Sequence, residues 1–489
     1  MVCYLLFIYL NTTAPGLSWA NSGSDGGDLI TAAATRGVAH PTGYPVYMLL
    51  ASLFQRLPIG SLAFRTNLLS VMAMIGASLW IYLIVQQSVS GLNLLQKQLA
   101  GVTASLAFGT SEIAWSQAVI TEVYALHTFF VGLILYLISD PTLTIQRDRK
   151  VFVIGLVLGM ALGNHVTMVL LAPGIIALVV ISSKKMADEH GIPSRRKFQL
   201  IWKDLIRLLV SAGITSSSYL LLPLWANTRP PVNWGNPVTL KNFLWLVSGK
   251  LYQDQLIGLP QWNIEERLQD WAHLLLQQFS VLGLILALVG LVIMFAPKRI
   301  HLMTLWAAVS VSVFAMSYRV VDWYIHLIPV YLVFGIWIGL GYAKVVEVFA
   351  SRGRIIGNVI GFFCVIYFIG FAISTWKQVD ASEDMRAEDF GREVMGLLPK
   401  HTIVFADGDR TIFTLWYFHF GLHNRPDIFV LATDLLPFDW YRETLRSNYP
   451  DLNIPALTQG IWQDSIMELN PAYPACYPYY SDRTVLNCR

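Results

Sequence analysis

Apolar residues run along this chain in blocks close to membrane width, separated by short polar turns, and only the last quarter changes rhythm. Blocks that approach the roughly 20 residues needed to cross a bilayer fall at about 2–20, 66–86, 99–118, 123–139, 151–163, 165–183, 205–224, 273–296, 302–317, 326–347 and 355–376. The pattern predicts about eleven transmembrane helices. The two blocks meeting at Gly163 to His165 read equally as one broken helix, two short ones or a re-entrant segment. The first block carries Asn11, Thr12, Thr13 and Pro15 with no basic residue ahead of it. It reads as a span cut short by the start of the sequence, or as a cleaved signal peptide, the second weakened by the missing positive n-region.

Beyond 376 the period shortens. "HTIVFADGD" predicts a strand running into an acidic turn, "RTIFTLWYFHFGL" an amphipathic helix, "PDIFVLATDLL" a second strand and "DWYRETLRS" another helix, an alternation of the α/β kind. The chain therefore divides into a transmembrane domain, 1–376, with loops at 21–62 and 225–272, and a small α/β domain, 377–489. Cys3 and Cys364 lie in apolar blocks, whereas Cys476 and Cys488 both lie in the tail. Spacing alone leaves their pairing open.

Composition agrees with the pattern. Hydrophobic residues make up 55% of the 489 and charged ones 13%, with a mean hydropathy of +0.52, far from the soluble average of about 25% charged. A net charge of +3 without a dense basic stretch excludes a nucleic-acid footprint. Charge does set orientation. Lys97; Arg147, Arg149 and Lys150; Lys184 to Lys203; Lys298 and Arg299; and Arg352 with Arg354 all fall on one face of an eleven-span chain, the cytoplasmic one by the positive-inside rule. The opposite face then receives the stretch after the first block, the turn at Glu122, the segment 225–272, the loop at Asp322 and the whole tail.

Candidate chemistry starts with "SDGGDLITAAATRGVAHPTGYPVY", Ser24 to Tyr47. Asp25 and Asp28 stand a few residues past the first block, in a Gly-rich turn that lets backbone approach a ligand. Carboxylates at a membrane surface suit an enzyme acting on a lipid-linked head group. The plainer reading makes Asp28 the cap of a helix starting at Leu29 and Asp25 a solvated loop acid, and composition alone favours it.

The stretch resembles the signature of a family of multispanning membrane proteins, long labelled only a domain of unknown function, whose eukaryotic relatives are transmembrane protein O-mannosyltransferases of the GT-C glycosyltransferase class. Its usual form is Asp-Ser-Gly-Glu-Leu followed by Ala-His-Pro-Pro-Gly-Tyr-Pro. "WSQAVITEVYALH", "LGNHVT", "PPVNWGNPVTLKNFLWLVSGKLY", "VVDWYIHLIPVYLV" and "FADGDRTIFTLWY" continue the likeness in order. The resemblance implies a GT-C type helical membrane protein with Asp25 in the place of the first acid and Asp28 in that of the glutamate. Here Gly26 replaces a serine, Asp28 is shorter, Thr42 replaces a proline, and Arg410-Thr411 stands where the pattern has Asn-Asp. The last change counts against Asp407 and Asp409 as metal ligands, so a divalent metal is left open but unsupported, and no metal ligand or cofactor is assigned.

Moving a sugar from a polyprenyl phosphate to a hydroxyl needs a carboxylate for the acceptor proton and donors for the leaving phosphate. Asp25 is the expected base, with Asp28 beside it. His40, His165, Lys250 and Arg319 are expected on the phosphate; packing in a turn for His40, a satisfied helix end for His165, favoured for that residue taken alone, and interfacial snorkelling for Lys250 and Arg319 are the plain alternatives. Glu122, Tyr124, Asn164, Trp234 and Asp322 are expected on the acceptor or sugar; an ion pair or an aromatic belt is the plain alternative. The expected reaction is inverting transfer of a mannose-like sugar to a protein or glycan hydroxyl on the extracytoplasmic side, in a plasma membrane or an endoplasmic reticulum. A transporter or flippase of lipid-linked sugars is the alternative; it calls for midplane ionisable groups or an inverted repeat, and the acids cluster at one surface instead.

Overall fold

In the computed structural model the described residues are 1–140, 147–256, 264–292, 298–351, 353–455 and 462–489. Arg352 of the basic loops, and parts of the expected 273–296 span and the 225–272 loop, lie outside them. Seven helices among the described residues are long and apolar enough to cross a membrane: Leu62–Ser88, Val166–Glu189, Ser194–Ala226, Ile264–Val292, Lys298–Ser317, Trp323–Ala350 and Arg354–Val379. Val2–Thr12, Pro45–Phe54 and Tyr124–Ser139 are shorter apolar helices.

The difference from the eleven apolar blocks has local causes. The first helix stops at Thr12, where Thr13 turns extended two residues ahead of Pro15, a residue with no amide hydrogen to continue the ladder. The 99–118 block breaks into Leu94–Gly109 and Glu112–Ala118, because Ser111 and Thr110 bond back to the preceding turn through their hydroxyls and end it.

In lipid, helices associate through close packing of small residues. A Cβ on Gly341 would stand 1.8 Å from the Leu286 carbonyl oxygen, and one on Gly290 1.9 Å from that of Trp337, so these glycines let Ile264–Val292 lie directly on Ile328–Ala350. Gly155 and Gly159, four apart, do the same for Arg147–Leu162 against Ser211 and Ala212. The Trp323–Ala350 helix is the hub, with 83% of its apolar window buried. Val359, Phe363, Ile366 and Ile373 of the neighbouring helix point outward instead, as a lipid-facing surface requires.

The tail builds a four-stranded sheet of order β2-β1-β3-β4 from β1 (Ile403–Ala406), β2 (Phe429–Ala432), β3 (Ala475–Ser481) and β4 (Arg483–Cys488). β1 runs parallel to β2 and β3, while β3 and β4 form an antiparallel hairpin. The two strands and two helices read from the sequence are β1, Asp409–Trp416, β2 and Asp439–Asn448; the hairpin and the helix Arg386–Leu397 are additions. Cys476 and Cys488 face each other across the hairpin and are bonded. Tail and membrane part share a seam at Gly27, where a Cβ would sit 2.2 Å from the carbonyl oxygen of Phe413.

Candidate active site

The helix after the first block begins at Gly26, not Leu29, with Asp25 in the capping position but without a side-chain cap bond. Asp28 therefore stands in the first turn of the helix rather than at its cap. One face of that helix packs on Asp409–Trp416, which turns Asp28 completely inward and leaves the Asp25 side chain about one-third exposed. Two carboxylates three residues apart thus meet different environments.

Burial of an unpaired carboxylate is prohibitive, and Asp28 is fully partnered. Its Oδ2 accepts from the His40 backbone N–H at 3.0 Å and lies 2.7 Å from His40 Nδ1; its Oδ1 accepts from the Trp234 indole N–H at 2.9 Å. On the other side of the ring, His40 Nε2 is 3.5 Å from Asp25 Oδ2 and 3.1 Å from the Tyr44 hydroxyl. That hydroxyl donates to the Pro41 carbonyl at 3.0 Å, so it accepts from Nε2, and both ring nitrogens carry hydrogen. Burial works against the resulting charge, but Asp25 and the bond from Asp28 outweigh it, and His40 is pushed up to about 9. His40 sits as a cation between two carboxylates, rather than open to a phosphate as expected.

Trp234 likewise departs from its expected place on a sugar. Its N–H is engaged by Asp28, and its ring packs among Phe413, Trp416 and Trp440 with 5% exposure. Asp409, from the tail, is exposed at the rim; partial desolvation and then the charge of Asp25 push its carboxyl up to about 6. Among the described residues no group of three or more His, Cys, Asp or Glu is arranged to hold a metal ion.

A second group stands beside the first. Glu122 is buried, and that burial, with Asp25 and Asp322 close enough to repel it, raises its carboxyl well above the usual range. Asp322 is raised too, by burial and then by Asp25. Tyr44 links the groups, its ring 6.2 Å from His165. His165 lies 5.7 Å from Tyr124, 5.1 Å from His127 and 5.9 Å from His326 between ring centres, and its Nδ1 meets the Thr167 hydroxyl at 2.7 Å. Asn164 donates to the Val123 carbonyl at 3.3 Å. Tyr44, His127 and His326 were missed in the sequence, although each lies inside a motif already quoted: four residues after His40, five after Glu122 and four after Asp322.

The segments that carry Lys250 and Arg319 run beside the HPTGYP turn and beside each other. Gly249 approaches Thr42 of the HPTGYP turn, with 3.7 Å from its would-be Cβ to Thr42 Cγ2. Lys250 donates to Gln253 at 3.2 Å, and the Arg319 backbone N–H donates to the Gln255 carbonyl at 3.0 Å. Tyr252 between them has its hydroxyl raised well above its ordinary value by burial and then by Asp25.

Comparison with known proteins bears on the sequence and the fold as a whole. Residues 25–188 match the family described as the protein O-mannosyl-transferase TMEM260 N-terminal domain, and residues 387–459 match TMEM260-associated domain 2. The mouse protein O-mannosyl-transferase TMEM260 is 25% identical over 472 residues, 88% of this chain and 62% of that protein. Its Dictyostelium discoideum counterpart is 23% identical over 503 residues, 92% and 58% of the two chains. The chain thus spans about three-fifths of the length of these relatives. Among solved structures, ArnT from Cupriavidus metallidurans bound to undecaprenyl phosphate superposes with a TM-score of 0.60 at 12% identity, over 100% of this chain and 96% of that one. Its apo form gives 0.59 at 11% identity, over 98% and 91%. A likeness at such identity concerns the fold. An integral membrane protein with the motif acids and histidine joined in one array, this chain is similar in sequence to the TMEM260 protein O-mannosyl-transferases over residues 25–188 and 387–459, and in fold to ArnT.

Proposed function

We propose that the chain is a glycosyltransferase that moves a mannose-like sugar from a polyprenyl phosphate to a hydroxyl of a protein or glycan, with inversion, on the extracytoplasmic face of its membrane. The observation that carries this reading is the array Asp25–His40–Asp28: a partly exposed carboxylate at the rim, held by a buried imidazolium that a second, fully buried carboxylate orients. The names of the relatives support the sugar and the acceptor class, and the lipid phosphate bound by the ArnT structure supports the donor class.

In this reading Asp25 takes the proton of the acceptor hydroxyl as its oxygen bonds to the anomeric carbon. The bond from that carbon to the phosphate oxygen breaks, and the phosphate leaves on its lipid with the electron pair. General-base help of this kind is worth about 100- to 10,000-fold. His40 is a positioning residue: it fixes the direction of Asp25 and keeps that carboxylate paired while substrate is absent. Lys250, Arg319 and His165 hold the leaving phosphate, where charge develops. Glu122, with Tyr124, Asn164 and Asp322, faces the sugar, its raised carboxyl serving as a hydrogen-bond donor. The basic loops at the other end of the helices support the extracytoplasmic assignment.

The test uses purified chain in lipid vesicles with a radiolabelled mannosyl polyprenyl phosphate and a serine- and threonine-rich peptide. Transfer by the native chain, abolished in Asp25→Asn at unchanged melting temperature, is the expected result. Use of a nucleotide sugar in place of the lipid donor, or full transfer by Asp25→Asn, would sink it. Movement of the lipid-linked sugar across the vesicle without transfer would point to the flippase alternative.

A further inference from the structure

We infer that the cavity between the loop 226–238 and the helix Asp439–Asn448 is a subsite for an extended, polar polypeptide segment, the one that presents the accepting hydroxyl. This rests on the glycosyl-transfer reading above, and the test is chosen to separate the two.

The cavity holds about 460 Å³, and Asn227, Arg229, Asn233, Asn236, Glu443 and Arg446 are among the residues that line it. Asn233 is the telling one. It is 6% exposed, and its Nδ2 donates to Asn236 Oδ1 at 3.2 Å. Asn233 lines the cavity, and its Oδ1 is buried just behind the surface with no hydrogen-bond partner among the described residues. A buried carboxamide oxygen without a donor is unfavourable. A ligand N–H or O–H seated there relieves it.

The same loop is tied to the acidic array. Val38 donates its N–H to the Val232 carbonyl at 2.9 Å, and Trp234 donates to the Val38 carbonyl at 3.1 Å, forming a parallel bridge between Val38 and Asn233. Val38 stands two residues before His40, and Trp234 grips Asp28. A chain resting on Asn233 therefore lies one bridge away from the array. The cavity touches the candidate membrane helices only at Ala226, the last residue of Ser194–Ala226.

The lining chooses among polar ligands. Carboxamides match a peptide unit at two points, accepting its N–H and donating to its carbonyl. Arg229 and Glu443, both exposed at the rim, suit charged side chains flanking the reactive residue. A glycan would favour an aromatic face, and none is among the residues lining this cavity.

The experiment reads protection of the rim. The full chain in lipid nanodiscs carries Cys3→Ser, which removes the exposed thiol, and Ser447→Cys at the exposed edge of the cavity. A pool of short synthetic peptides, each with one serine or threonine in polar flanks, should slow maleimide labelling at position 447 by about tenfold. Asn233→Leu should abolish the protection and Asp25→Asn should keep it. Glu443→Lys, at an exposed position whose carboxylate accepts from Asn236 at 3.3 Å, should weaken it and serves if Asn233→Leu does not fold. Labelling unaffected by the peptides, or protection by a pool of free oligosaccharides alone, overturns the inference. Protection by peptides in a native chain that transfers no sugar to them would retain the subsite and remove the transferase reading.

Discussion

Trp234 donates its indole N–H to Asp28 at 2.9 Å across 206 residues of sequence. The bond joins the long loop after the Ser194–Ala226 helix to the first helix of the motif, and its acceptor is a carboxylate with no exposed surface. Removing the donor therefore leaves a charged oxygen lone pair buried without its partner. Trp234→Phe keeps the ring and its packing while deleting that hydrogen. It should lower stability by about 1.5–3 kcal/mol, read as a fall in melting temperature in detergent. An unchanged melting temperature would mean that Asp28 does not depend on the indole.

Asp25 and Asp28 should separate cleanly on substitution. Asp25→Asn, at a partly exposed position without a cap bond, is expected to cost roughly 100- to 10,000-fold in turnover with folding nearly intact. Asp28→Asn weakens the hold on both His40 and Trp234 and should lower melting temperature and turnover together. Equal effects of the two on stability would contradict their different burial.

The protonation of His40 makes a signed prediction. Its value in the folded chain is raised from the model-peptide 6.5 to about 9, because Asp25 and Asp28 outweigh the opposing effect of burial. A raised basic group stabilises the fold fully below its unfolded value and loses that contribution as pH climbs through the folded value. The groups facing His40 are Asp25, Asp28 and Tyr44, the Trp234 indole, the ring of Phe413 and, farther off, Asp409. Melting temperature should therefore fall between about pH 6.5 and pH 9, and His40→Gln should flatten that segment of the curve. A parallel slope in the variant would assign it to another group.

Gly27 sets the distance between the motif helix and the tail. Gly27→Ala drives a methyl into the Phe413 carbonyl at 2.2 Å and should cost about 1–3 kcal/mol, as overpacking does, while reducing turnover by shifting Asp25 and Asp28 together. Gly396, in the helix Arg386–Leu397 and with open space around it, is the control. Gly396→Ala should stabilise by about 0.5–1 kcal/mol. Thermal denaturation of both variants decides the matter.

Much of this protein could be read along the chain. Apolar block length gave the membrane class, because backbone in lipid must satisfy itself within a helix. The tail's β1 and β2 with their two helices were legible from local periodicity. Its final hairpin was not, because "CYPYYS" and "RTVLNC" show no marked alternation and become strands through pairing with β1 and with each other. The fragmentation of the 99–118 block was hidden too: Thr110 and Ser111 pass as mild polar residues until their hydroxyls are seen bonding back to the turn.

For the site, the motif Ser24 to Tyr47 by itself marked two acids, a histidine and a tight Pro-rich turn, since all of them lie within one short stretch whose residue types speak for themselves. Only the tertiary structure decided that Asp28 goes inside and Asp25 stays at the rim, that His40 joins them, and that Trp234, Asp409, His127 and His326 converge from remote segments. The physical reason is that a carboxylate's role follows from its burial and partners. Those are set by the packing of the tail and the loop 226–238 onto one helix, contacts for which local hydrophobic periodicity carries no signal.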